Sequence, residues 1–278
     1  MIKQEELVSE AFSIQAAEFD TLDNENPILQ WMRNIVRQYV LSSLKGNSTI
    51  LELNAGTGLD AVYFSLRGHH VLATDNAMGM IQEINKKIKA YSLEENLQVR
   101  QCSFNDLSQI MPQRFDCIYS NFGGLNCAED LHNVIQQFDD LLNPNGIVTL
   151  VIMPPICPWE LLSLFKGNFK MAFRRMKGLD YKSRPANRNP RPAKSHLEGI
   201  YFDTYYYSPS FVKKAFGAKY KMIHLQGLAS ISLPPYKEKF AINNPKLYKT
   251  LAAIDQKISR MPPFCYWADH YVISFLKK

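Results

Sequence analysis

Several patterns that assign a protein class at once are absent from this sequence of 278 residues. Its five cysteines form no CxxC pair, and no group of histidines and cysteines has the spacing of a zinc site. We therefore expect no bound metal, buried free thiols and a reducing compartment. No apolar run reaches the ~18 residues of a membrane span, and the polar start MIKQEELVSE is unlike a signal peptide. These absences predict a soluble, cytoplasmic protein.

Two common phosphate-binding loops are also absent. A nicotinamide-binding domain uses GxGxxG, and a P-loop ends in GK(S/T). The glycine-containing turn at residues 54–60 has the sequence NAGTGLD, which matches neither pattern. A turn that binds nothing, or another dinucleotide fold, stays open as an alternative at this point.

The composition is that of a folded domain with one unusual segment. Hydrophobic residues make up 46% of the chain, which suits one domain carrying an insertion or cap. The formal net charge is +6, and it is spread unevenly. Between residues 166 and 194, ten basic residues accompany a single acid, Asp180. Such a segment favours an anionic partner without identifying it.

The periodicity of apolar residues changes after the first helices. Residues 1–46 have a helical pattern, and Pro27 suits the first turn of a helix. Short apolar runs then alternate with helical stretches, which predicts a parallel sheet covered by helices. The expected strands are Thr49–Leu53, His70–Thr74, Leu97–Cys102, Phe115–Ser120 and Gly146–Met153, with helices at Leu59–Arg67, Met78–Tyr91 and Leu131–Leu142. Further strand-like segments are Tyr205–Tyr207, Tyr220–Leu225 and Tyr266–Leu276.

The first strand leads into the segment that indicates a ligand. Residues 50–58, ILELNAGTG, pass from an apolar strand through a glycine turn to a helix. Gly56 and Gly58 let the backbone approach a ligand closely, and the helix presents free N–H groups. Asp75 ends the second strand about twenty residues later, where an acid accepts hydrogen bonds from both hydroxyls of a ribose.

This segment resembles motif I of the class I S-adenosylmethionine-dependent methyltransferases, whose usual form is (D/E)xGxGxG. Glu52 takes the acidic place, and Asn54, which tolerates left-handed backbone, stands where the first glycine is usual. Asp75 matches the family's ribose-binding acid, and Met80 matches the methionine that packs on the adenine. The turn LLNPNG at residues 141–146 is similar to the family's LLxPGG, so the resemblance covers about residues 12–153.

The resemblance implies a transferase, a methyltransferase that uses S-adenosyl-L-methionine as cofactor and releases S-adenosyl-L-homocysteine. It implies a Rossmann-like α/β fold, with a mostly parallel seven-stranded sheet, helices on both faces and a cap insertion. Ser103 falls where the family usually has an adenine-contacting acid, and Asp106 is the alternative for that contact. The residues expected to bind the donor are Glu52, Asn54, Ala55, Gly56, Thr57, Gly58, Asp75, Asn76, Met80, Ser103, Phe104 and Asn121.

We expect four segments. Residues 1–46 form an N-terminal helical cap, and residues 47–155 form the donor-binding Rossmann-like core. Residues 156–210 form a basic and aromatic insertion that caps the acceptor, and residues 211–278 complete the sheet.

The insertion is expected to select the acceptor. Its bulky apolar residues favour a pocket for a small or lipophilic organic acceptor, apolar or aromatic, methylated on oxygen or carbon. Its apolar face with a basic flank can also lie on an anionic membrane surface, or pack on the core. The alternative is an RNA or protein methyltransferase that uses the basic segment. Against nucleic acid, residues 120–123 lack the Asn-Pro-Pro-Tyr pattern of the family's amino-nitrogen enzymes. A second alternative is a protein that binds the donor without catalysis.

Catalytic residues are otherwise unassigned. Methyl transfer requires a general base only when the acceptor carries a proton of high pKa. His196, in the insertion where a cap would meet the acceptor, is the candidate for such a role because histidine titrates near neutrality.

Overall fold

The computed structural model describes residues 3–183 and 189–278. The strands are β1 Thr49–Leu53, β2 His70–Asp75, β3 Leu97–Gln101, β4 Phe115–Ser120, β5 Leu142–Ile152, β6 Ala193–Leu197, β7 Ile200–Thr204, β8 Tyr220–Leu228 and β9 His270–Lys277. The α-helices are α1 Gln4–Glu25, α2 Pro27–Ser43, α3 Leu59–Ser65, α4 Met78–Tyr91, α5 Leu131–Gln136, α6 Phe138–Leu141, α7 Pro158–Leu161, α8 Phe169–Phe173, α9 Pro209–Phe216, α10 Glu238–Asn243 and α11 Pro245–Ile258. Short 3-10 helices span Ser108–Ile110, Gly124–Cys127, Leu162–Lys166, Arg175–Ser183 and Pro235–Lys237.

A seven-stranded sheet with the order β3-β2-β1-β4-β5-β9-β8 forms the centre of the chain. Strands β1 to β5 are parallel, whereas β9 runs antiparallel to both β5 and β8. The carboxyl ends of the parallel strands therefore share one edge of the sheet. Because β9 runs the opposite way, it begins at that edge, where Tyr271 pairs with Ile152 at the end of β5. The predicted α/β fold is confirmed.

Apolar side chains fill both faces of the sheet. On one face, β4 and β5 pack against α5, α6 and α9, and Phe138 and Phe216 are both buried there. On the other face, α2 buries Met32 and Val36. Burying these side chains contributes about 1.5–3 kcal/mol each relative to leaving them in water.

Helix α2 shows how the local sequence sets an element. Pro27 occupies the first turn, as predicted, because its missing N–H is not needed there. Asn26 precedes it and accepts hydrogen bonds from the N–H groups of Ile28 at 3.0 Å and Leu29 at 3.3 Å. This N-cap satisfies two donors that have no partner inside the helix.

The structure differs from the sequence prediction mainly at the ends of elements. Strand β5 begins at Leu142, four residues before the predicted start, because a register shift opposite β4 accommodates the turn. The predicted helix at residues 131–142 is divided into α5 and α6. Residues 205–207 follow β7 without joining a sheet, and the buried Tyr207 hydroxyl donates to the carbonyl of Ala128 at 2.5 Å. Tertiary contacts, and not a strand ladder, therefore order this tyrosine segment.

The insertion between β5 and α9 contains α7, α8, two 3-10 helices and the β6–β7 hairpin. It presents several large apolar side chains to solvent, and Phe165 is 89% exposed. None of the helices within residues 3–183 and 189–278 combines the length and apolarity needed to cross a membrane.

Candidate functional site

The turn after β1 is held in shape by its asparagine. Asn54 has a φ of 45°, in the left-handed region that asparagine tolerates. Its side-chain oxygen accepts a hydrogen bond from the Ser120 hydroxyl at 2.7 Å, and its amide donates to the Asn121 carbonyl at 3.2 Å. A Cβ on Gly124 would lie 2.3 Å from the Asn54 side chain. The asparagine thus joins the β1 turn to the loop after β4.

Asp75 faces this turn from the end of β2. Its carboxylate accepts the backbone N–H of Gly56 at 2.9 Å and that of Ala77 at 2.9 Å. Burial raises the pKa of Asp75 from 3.8 to about 6, although the backbone N–H donors act in the opposite direction. The sheet edge therefore holds a half-buried carboxylate, with its two oxygens positioned next to a glycine turn.

Glu52, in β1, places a carboxyl group in the interior of the protein. The residue is 2% exposed, and its Oε2 has no hydrogen-bond partner among the described residues. Burial and the nearby Asp60 carboxylate raise the pKa of Glu52 well above its ordinary value, against the effect of Arg33. A buried carboxyl oxygen without a donor is costly, so this position suits a ligand that brings N–H groups.

A buried ionic cluster fixes the helix that follows the turn. Asp60, in the first turn of α3, accepts from Arg33 Nη1 at 2.8 Å and from Arg37 Nε at 2.6 Å. Asn121 Nδ2 donates to the same carboxylate at 2.7 Å. Burial alone would raise the pKa of Asp60, but the two guanidinium groups lower it below its ordinary value. Asn121 is therefore connected to both the turn and the ionic cluster.

Helix α1 packs against the turn that follows β1. The Phe19 ring lies 3.8 Å from the position that a Cβ on Gly56 would take. The Thr57 hydroxyl and Lys87 both bind the Asp20 carboxylate, the lysine at 2.6 Å. One side of the turn is therefore covered by the Phe19 ring and by the polar contacts of Asp20 with Thr57 and Lys87.

The remaining predicted donor-site residues gather at the same edge. Met80 is fully buried beneath α1, where it packs with Ala16 and Ala77. The backbone carbonyl of Asn76 accepts from the Ser9 hydroxyl at 3.1 Å. Ala55, Gly58, Ser103 and Phe104 lie in the turns that follow β1 and β3, and the Ser103 hydroxyl accepts from the N–H of Asn105 at 3.1 Å.

The residues around the turn also match a family of known proteins. Residues 50–146 fit the family model described as a methyltransferase domain. This match supports the resemblance to the class I S-adenosylmethionine-dependent methyltransferases over residues 50–146, and the fold of the whole chain is shared with such enzymes. The predictions of family and fold are thereby confirmed.

Individual relatives share little sequence identity with this chain. The tRNA 5-carboxymethoxyuridine methyltransferase of Escherichia coli is 26% identical over 102 residues, which are 37% of this chain and 39% of that protein. The match therefore spans about two fifths of the curated relative's length. The 1,6-didemethyltoxoflavin-N1-methyltransferase of Burkholderia thailandensis aligns over 98% of this chain and 87% of its own, with a TM-score of 0.57 and 14% identity. The DhpI–SAH complex aligns over 99% and 98%, with a TM-score of 0.54 and 14% identity.

The chain also contains a histidine–aspartate pair that the sequence analysis did not select. His270, the first residue of β9, directs Nδ1 at the Asp269 carboxylate at 2.8 Å, and both residues are buried. The sequence could have placed these two residues at the edge where the parallel strands end only if the antiparallel direction of the last strand had been predicted. His196 lies on β6 and is exposed, with its ring 4.4 Å from that of Tyr201. A catalytic role for His196 stays a prediction.

The basic segment of the insertion is divided between buried and exposed residues. Arg174 and Arg175 bind Glu160 at 2.6 and 2.7 Å, and Lys194 binds Asp203 at 2.9 Å. The lysines at positions 166, 170 and 177 are exposed. The arginines at positions 184 and 188 lie outside the described residues. Three of the ten basic residues of this segment therefore form ion pairs within the protein.

Proposed function

We propose that this protein transfers a methyl group from S-adenosylmethionine to a small or lipophilic organic acceptor. The observation that carries the proposal is the hydrogen bond between Gly56 and Asp75, which brings the turn and the tip of β2 together. The bound sulfonium donor supplies an activated methyl group, so the protein has to align the reactants and exclude water.

The donor's groups fit the residues at the sheet edge. Asp75 can accept hydrogen bonds from two ribose hydroxyls in place of its present backbone donors. The unpartnered oxygen of Glu52 can accept from the ammonium of the donor's methionine part. Phe19 supplies apolar surface beside the turn. These residues fit a charged nucleoside better than an apolar ligand.

The insertion supports a small acceptor more than a polynucleotide. Arg174 and Arg175 are bound to Glu160, and a polynucleotide surface requires basic side chains that are free for phosphates. The neighbouring segment instead exposes apolar side chains, among them Phe165 and Phe169. Exposed apolar groups in the insertion suit a lipophilic acceptor or a membrane surface that delivers one.

RNA is the second candidate acceptor. One relative of this chain is a tRNA methyltransferase, and the exposed lysines at positions 166, 170 and 177 could contact phosphates. This candidate requires that binding to tRNA weakens steeply with salt, because released counterions drive such binding.

The acceptor class is tested by incubating the protein with methyl-tritiated S-adenosylmethionine and two separate pools. One pool is the organic-solvent extract of cells, and the other is total RNA from the same cells. We expect protein-dependent label in the organic extract and only background label in RNA. Label confined to RNA would transfer the assignment to the second candidate, and label in neither pool would contradict methyl transfer to both classes.

A further inference from the structure

His270 is built like a base held in one orientation. Its Nδ1 lies 2.8 Å from the Asp269 carboxylate, which fixes the Nδ1–H tautomer and leaves Nε2 with a lone pair. In the part of the chain that the structure describes, no hydrogen bond occupies Nε2. The residue is 7% exposed, so its surroundings are largely water-free.

The aspartate is itself fixed by the insertion. Arg175 Nη2 donates to Asp269 Oδ1 at 2.8 Å, and Arg175 Nη1 donates to the Asp269 backbone carbonyl at 2.7 Å. Glu160 binds the same arginine at 2.7 Å. Burial alone would raise the pKa of Asp269, but Arg175 and His270 lower it well below its ordinary value. Asp269 therefore stays ionised and can stabilise a protonated imidazole.

The pair faces the loop after β4. The rings of His270 and Phe122 meet edge to face, with centroids 5.8 Å apart. Phe122 directly follows Asn121, the residue bonded to both the β1 turn and Asp60, and the guanidinium of Arg33 lies 4.6 Å from the centre of the Phe122 ring. The histidine thus borders the loop at the same sheet edge as the candidate donor site.

We propose that His270 is the general base of the reaction, and that the acceptor is therefore a molecule methylated on a hydroxyl oxygen of high pKa. This inference rests on the proposed methyl transfer. The acceptor oxygen forms its bond to the methyl carbon with a lone pair as the carbon–sulfur bond breaks and leaves its electron pair on sulfur. The hydroxyl proton passes to Nε2 of His270, and Asp269 positions the imidazole and balances its new charge.

An amine acceptor would not require this arrangement, because a neutral amine attacks with its own lone pair. A phenol or alcohol keeps its proton at neutral pH and reacts slowly without a base. Charged groups around His270 are Asp269 on its own segment, Arg175 and Glu160 from the insertion, and Arg33 across Phe122. Asp269 lies directly beside the imidazole, so a proton taken up at Nε2 does not leave a lone buried charge.

The test uses H270N, whose side-chain amide can still donate to Asp269 but lacks Nε2. The matched control is H224N, because His224 is also buried but lies on β8, stacked on Tyr39 and hydrogen-bonded to Gln226. Binding of S-adenosylmethionine is measured by calorimetry, and methyl transfer by tritium incorporation into the organic extract. We expect both variants to bind the donor as the native protein does. H270N should lose about 10²–10⁴-fold in the transfer rate, and H224N should change it less than about threefold.

A second readout is independent of turnover. Nitrogen-15 NMR of the histidine-labelled protein should show His270 protonated at Nδ1 and unprotonated at Nε2 in the neutral form, and D269N should disturb this tautomer. Full transfer by H270N, or an Nε2–H tautomer in the native protein, would overturn the assignment of the base. Failure of the native protein to bind S-adenosylmethionine would instead refute the proposed function itself.

Discussion

Gly56 donates its backbone N–H to the carboxylate of Asp75 across 2.9 Å. This one bond joins the turn after β1 to the end of β2, which are 19 residues apart in the chain. It depends on the glycine, because the φ of 56° at this position is unfavourable for residues with a side chain. The bond holds together the two elements that the proposed nucleoside site requires.

Asp75→Asn should weaken binding of S-adenosylhomocysteine about 10–100-fold. The neutral amide has one acceptor oxygen, whereas the carboxylate has two and carries a negative charge. Hydrogen bonds to a charged group contribute roughly 1.5–3 kcal/mol. Isothermal titration calorimetry measures the effect, with Asp140→Asn as the control because that carboxylate is exposed and lies on α6. Unchanged affinity in a folded D75N protein would show that the ribose binds elsewhere.

Donor affinity should fall as the pH drops through about 6, the pKa that burial gives Asp75. Ribose hydroxyls bind the ionised carboxylate better, so Kd should rise by up to about tenfold per pH unit below that value. The free energy of unfolding depends on pH in the opposite direction. Because the folded pKa is raised from 3.8, protonation favours the fold, and this residue's contribution decreases as the pH rises from 3.8 to about 6.

Calorimetric titrations across this range check the pH dependence, with D75N as the comparison. If D75N retains the same pH dependence of donor affinity near pH 6, another titrating group is responsible for it.

Gly124→Ala should destabilise the protein by about 1–3 kcal/mol, because the new Cβ would lie 2.3 Å from the Asn54 side chain. Asn54→Gly removes that side chain and restores the glycine usual in motif I. The double variant should therefore be more stable than the two single effects predict, by about 1 kcal/mol or more.

Urea denaturation of the four proteins completes this cycle. Gly46→Ala is the control, since a Cβ there would have no contact within 4 Å among the residues that the structure describes. Strict additivity would mean that the asparagine and the β4 loop are not in contact.

Arg33→Met should cost about 3–5 kcal/mol of unfolding free energy, because it leaves two buried carboxylates, Asp23 and Asp60, without this cation. Lys86→Met removes an exposed ion pair with Glu83 and should change stability by less than about 1 kcal/mol. Thermal and urea unfolding measure both. Equal effects of the two variants would contradict a structural role for the buried cluster.

The sequence predicts those parts of the fold that depend on local pattern. The alternation from Thr49 onward indicates the parallel strands, and the left-handed φ of Asn54 follows from its residue type. The contacts of α1 with the turn, such as Asp20 with Thr57, could not be predicted, because they depend on how distant elements pack. The same holds for His270, whose position requires the direction of β9. Charge counting also misses that Arg175 is an internal ion-pair partner.

A crystal structure of the protein with S-adenosylhomocysteine tests the central claim most directly. The account predicts both ribose hydroxyls within hydrogen-bond distance of the Asp75 carboxylate, and the amino group beside Glu52. A nucleoside bound away from the turn at residues 54–58, with Asp75 still bonded only to its backbone donors, would contradict it.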